Sequence, residues 1–130
     1  MAYIKYKELT GYFNFSEEMD LGNLPQYVID YISPGESVVA GYATTDDKFV
    51  LTTKKILLFD VRSFGRRKTI HIFPFNSISS SALEFKTNSS AILLSMDSGY
   101  QVRLNFVKMD PQDKARFRKF YMVLVNFICR

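Results

Sequence analysis

The stretch RSFGRRK, residues 62–68, gathers Arg62, Arg66, Arg67 and Lys68 around one glycine. Guanidinium groups grip phosphate or carboxylate through paired N–H donors and a lysine adds a point charge, so the chemistry on offer is anion recognition. A solvated hairpin carries the same charges for another reason, because they keep a loop soluble and discourage pairing between exposed strand edges. Docking against an acidic patch of a partner subunit is a third account, and the residues alone leave all three open. Phe64 is the one aromatic inside the stretch. Nucleic-acid recognition asks for several exposed rings interleaved with charge, which makes that partner a poor fit. A lone Phe beside arginines also suits the interface of an anionic membrane.

Catalytic chemistry is thinly supplied. The single histidine, His71, sits in the alternation Thr69-Ile70-His71-Ile72-Phe73 with no carboxylate nearby in sequence to orient it, so it reads as a structural strand residue. Cys129 excludes an intramolecular disulfide and any CxxC motif, and its place on the apolar side of a final helix reads as a buried, inert thiol. Asp46-Asp47 has the form of a paired carboxylate, but a turn explains both residues and no third ligand stands near them. No enzyme activity, metal or cofactor is therefore expected, and a lone cysteine fits a reducing, cytoplasmic setting.

The elements that must position these residues are mostly strands. Aromatic residues make up 15% of the chain, twelve Phe and eight Tyr with no Trp, and β structure favours such rings. From residue 37 onward, short β-branched and aromatic runs alternate with turn signals, which predicts strands over 37–44, 48–53, 55–61, 67–74, 78–86, 91–97 and 100–106. Asp110-Pro111 then starts a helix on which Phe117, Phe120, Tyr121, Leu124, Phe127 and Ile128 form an apolar stripe, the mark of a lid over a sheet. Upstream, Asn23 as cap and Pro25 in the first turn predict a helix over about 24–32, while residues 3–15 alternate only partly and read as a strand or an extended arm. Nothing approaches the roughly 18 uncharged apolar residues of a membrane span. Residues 1–36 carry two lysines against six acids, whereas residues 37–130 carry 15 Lys and Arg against 7 acids, a division that suggests an acidic segment lying on or near a basic body, of the same chain or of a neighbouring subunit.

Seven antiparallel strands followed by one amphipathic helix resembles the pleckstrin homology fold. The wording is more specific: Leu51 to Ile56 resembles an FTNKRLI-like segment, Gly65 to Lys68 a G-K-K-like turn, and Phe73 to Ile78 an IPY-x-SI segment, as in the bacterial pleckstrin homology family, formerly a domain of unknown function. The likeness runs over residues 35 to 129 and implies a mainly β fold with α: a seven-stranded antiparallel bent sheet or partly open barrel capped by the C-terminal helix. Residues 1–34 are then an N-terminal extension with its own helical segment, and residues 35–130 the PH-like domain. Eukaryotic relatives of the fold often hold phosphoinositide headgroups on the first two strands and their connector. Here that connector reads Thr44-Thr45-Asp46-Asp47-Lys48, and two acids where phosphates would sit argue against such a site.

Bacterial relatives tend to self-assemble, and the residues agree. KILLF and AILLSM are apolar on successive positions, so both faces of those strands need cover, which a second subunit could provide. The reading is a non-catalytic scaffold module acting as a homo-oligomer or through another protein. The alternative is a peripheral binder of anionic membranes through Arg62, Arg66, Arg67 and Lys68.

Overall fold

The computed structural model describes residues 11–44, 47–61, 68–108 and 110–129. Along the chain run β1 (Gly11–Phe15), β2 (Glu17–Glu18), α1 (Gln26–Ile29), β3 (Val38–Ala43), β4 (Asp47–Thr52), β5 (Lys55–Val61), β6 (Lys68–Pro74), β7 (Ile78–Phe85), β8 (Ser89–Met96), β9 (Gln101–Val107) and α2 (Pro111–Ile128). The seven strands expected from the sequence are β3 to β9. They do not make one continuous sheet: β2-β3-β4-β5-β6 forms one and β1-β9-β8-β7 another, and neither order closes on itself. The described end of the partly alternating segment 3–15 is a strand, β1, and the short β2 follows it; each is the outer strand of its sheet. Two compact units result, one of Phe15–Phe75 and one of the described residues up to Asn14 together with those from Asn76 onward.

In the Phe15–Phe75 unit, β3 to β6 pair antiparallel in sequence order. Ile56, Leu57, Leu58 and Phe59 on β5 are all 1% exposed or less. Successive strand residues point to opposite faces, so both faces of β5 are covered. One cover is the chain's own N-terminal segment: Val28 is buried with Val50, Leu57 and Phe59, and Met19, Leu24 and Ile32 pack around them. Gly41 makes the close approach feasible, since a Cβ there would come within 3.0 Å of Met19 Sδ and 3.2 Å of Met19 Cβ. The Met19 N–H donates to the Gly41 carbonyl at 2.8 Å, which fixes the segment against β3.

The N-terminal helix is shorter than the sequence predicts. Pro25, not Asn23, stands at its cap, and no side chain caps it. Asn23 falls in the preceding turn, where its N–H donates to Asp20 O at 3.1 Å, and turn bonds from Tyr31 to Val28 and from Ile32 to Ile29 carry the coil on past the helix. So short a helix has little stability of its own; burial of Val28 holds it.

In the other unit, β7, β8 and β9 pair antiparallel, and α2 lays its predicted stripe on them. Phe117, Phe120 and Leu124 are buried. The Phe117 ring lies 4.6 Å from that of Phe106 on β9 and 5.6 Å from that of Phe120, and Tyr121 Oη shares a 2.9 Å hydrogen bond with Ser81 Oγ on β7. Burying one such Phe stabilises by about 1.5–3 kcal/mol. The start of α2 is a reciprocal capping box: Asp110 accepts from the Asp113 N–H at 2.8 Å while Asp113 accepts from the Asp110 N–H at 3.1 Å. Cys129 departs from expectation. It is exposed, because the helix ends at Ile128 and Cys129 is the residue that caps it, its N–H on Val125 O at 2.8 Å.

Candidate functional site

Of the four cations singled out in the sequence, Arg62, Arg66 and Arg67 lie outside the described residues. Lys68 opens β6 opposite Val61, and its side chain also lies outside them. Asp46 is outside as well. Asp47 begins β4 in a tight turn, its N–H donating to Thr44 Oγ1 at 3.1 Å and its carbonyl accepting from the Thr44 N–H at 2.9 Å. His71 sits half-buried on β6 opposite Leu58, its ring stacked 6.0 Å from that of Phe73 at 3°.

A polar cluster that the sequence reading passed over lies at the β4–β5 turn. The Glu36 side chain is fully shielded from solvent, and its Oε1 accepts from Lys55 Nζ at 2.8 Å and from the Ser33 N–H at 2.8 Å. Its Oε2 accepts from the Thr52 hydroxyl, whose oxygen in turn accepts from the N–H groups of Lys54 and Lys55 at 3.0 Å each. Burial alone would raise the Glu36 pKa, but the hydrogen bonds from Lys55, Thr52 and Ser33, together with the Lys55 charge, outweigh it and bring the carboxyl down to about 2. Thr52 and Lys55 belong to the segment that carries the family likeness. Their bonds to Glu36 make that segment a latch between the entry to β3 and the β4–β5 turn. Glu36 stands 16 residues from Thr52, a distance no local periodicity registers.

The apolar surplus in β5 is absorbed by the N-terminal segment, and the cover runs out at β6. Leu57 pairs with Ile72 and Phe59 with Ile70, which puts both isoleucines on the face that α1 covers. Ile70 is packed against Val28 and its neighbours, whereas Ile72 is 51% exposed. Tyr27 and Tyr31 lean edge-on against Phe59 at 5.5 and 6.2 Å, each with about two fifths of its surface in solvent. Burial raises the Tyr27 phenol above its ordinary pKa. Ile72, Tyr27 and Tyr31 each leave apolar surface in solvent. The chemistry of such surface is contact, not catalysis.

Comparison with solved structures agrees with this architecture. The chain is similar to a DUF1696 family protein with a pleckstrin-homology domain from Shewanella loihica, at 23% identity and a TM-score of 0.66, over 85% of this chain and 95% of that one. It is similar to a pleckstrin homology domain from Shewanella amazonensis, at 19% identity and a TM-score of 0.60, over 85% and 100% of the two chains. A PH domain containing bacterial protein from Exiguobacterium sibiricum matches at 12% identity and a TM-score of 0.69, over 88% of this chain and 62% of its own length. The fold is that of a pleckstrin homology domain. The sequence model of the bacterial PH domain matches residues 9–127, and the chain belongs to that family. The match takes in Val28 and the rest of the segment that packs on β5. No curated protein matches the chain. Among the described residues, no helix is long and apolar enough to cross a membrane.

Proposed function

We propose that this chain is a non-catalytic PH-like interaction module that self-associates through an apolar strip made by Ile72, Tyr27 and Tyr31. Membership of a generally non-catalytic domain family supports the first half of that reading. The half-exposed Ile72, on the same face as the buried Leu57 and Phe59 of the neighbouring strand, carries the second. The occupant is a second copy of the chain. Exposed tyrosine rings and an aliphatic side chain suit contact with a second copy across a two-fold axis, where rings pack on apolar surface while hydroxyls keep hydrogen bonds at the rim. The strip is small beside a standard interface, so the association is weak and concentration-dependent. Light scattering at increasing concentration tests this, with a mass above 15.1 kDa that persists in high salt as the expected result. A 15.1 kDa species at every concentration, combined with salt-sensitive sedimentation on anionic liposomes, would replace this reading with the membrane one through Arg62, Arg66, Arg67 and Lys68.

A further inference from the structure

The start of α2, the β7–β8 hairpin and the end of β9 enclose an open cleft of about 940 Å³. Lys108, Lys114 and Arg118 line it, with Asp110 as the one carboxylate among the described lining residues. Asp110 is turned to the helix, where its Oδ1 holds the Asp113 N–H at 2.8 Å, so the first turn is capped from within and the three cations dominate the cleft. Each is held ready. Lys114 Nζ donates to the carbonyls of Lys86 and, at 2.8 Å, Thr87, which anchors the ammonium on the hairpin and leaves it a third donor. The Arg118 guanidinium carbon lies 5.8 Å from the centre of the Phe85 ring, an arrangement that steadies the group while its N–H edges remain available. Lys108 adopts φ 60, a left-handed conformation that Gly or Asn takes with less strain, and it makes no ion pair among the described residues. Asn88 and Ser89 add neutral donors on the opposite wall.

We propose that this cleft binds a phosphate-bearing anion held by Lys108, Lys114 and Arg118, residues distinct from those of the apolar strip and of the basic stretch 62–68. Three cations facing one internally committed carboxylate leave a surplus of about two positive charges, which matches a phosphate monoester dianion better than a single carboxylate. The phosphate could come from a soluble metabolite or from a lipid headgroup, and two probes separate these sources.

Amide-resolved NMR of the full chain, titrated with inorganic pyrophosphate in 150 mM salt, gives the first test. The expected result is saturable shifts centred on Asn88, Ser89, Lys108, Lys114 and Arg118, with affinity at least fivefold weaker in Lys108→Gln and in Arg118→Gln. Both side chains are exposed, and unchanged spectra away from the cleft verify that the variants fold. Co-sedimentation with phosphatidylcholine vesicles containing 20% phosphatidic acid is the second test. Binding to vesicles that pyrophosphate displaces and Arg118→Gln abolishes assigns the site to a lipid phosphate, whereas pyrophosphate binding alone assigns it to a soluble one. The proposal is overturned if neither probe binds, if the shifts centre on residues 62–68, or if the variants bind as tightly as the parent chain.

Discussion

Glu36 offers the sharpest quantitative test of how this fold is held together. Its carboxyl stands at about 2 in the folded chain against an ordinary 4.5. At roughly 1.4 kcal/mol per pKa unit, the ionised form contributes about 3 kcal/mol of stability at neutral pH. The sign follows from the depressed value: the contribution is complete above about pH 4.5 and is lost as pH falls towards 2. Urea denaturation of the parent chain and of Glu36→Gln, run from pH 7 down to pH 2.5, isolates it, because every other carboxylate titrates in both proteins. The variant is expected to be about 3 kcal/mol less stable at pH 7, or roughly 10 °C lower in Tm for a domain of this size. The two curves should converge near the acid end. A difference below about 1 kcal/mol at pH 7, or one that stays constant down to pH 3, would refute the claim that a buried carboxylate latches the β3 entry to the β4–β5 turn.

Two further substitutions probe the packing of α2. Phe117→Ala removes a fully buried ring wedged between Phe106 and Phe120 and is expected to cost about 3–5 kcal/mol by chemical denaturation. Asp110→Ala removes one half of the capping box and should cost about 1 kcal/mol, with Asp113→Ala adding little on top of it because the two side chains act as one unit.

The sequence announced its strands wherever turn chemistry and alternation coincided, as at Asp97-Ser98-Gly99, where Gly99 holds φ +95. It announced α2 equally well, since the Asp110-Pro111 start and the Phe117, Phe120, Leu124 spacing are local signals. The same local logic failed at Asn23, where a good capping residue was already committed to a turn. Cys129 was misjudged because its periodicity outran the helix by one residue. The Glu36 latch and the docking of Val28 on β5 depend on contacts across many residues of chain, and only tertiary structure brings those groups together. That docking also changes the reading of the apolar β5. The chain covers most of the strand itself, and the surface left for a partner narrows to Ile72 with its two tyrosines. The basic stretch Arg62 to Lys68 is the alternative route to a partner.

Sedimentation equilibrium of the parent chain beside Ile72→Lys measures the central claim most directly. The account expects the parent to associate reversibly with rising concentration and Ile72→Lys to remain at 15.1 kDa with an unchanged Tm, since a half-exposed side chain adds little to the fold. Equal association in the two proteins, or none in either, would contradict it.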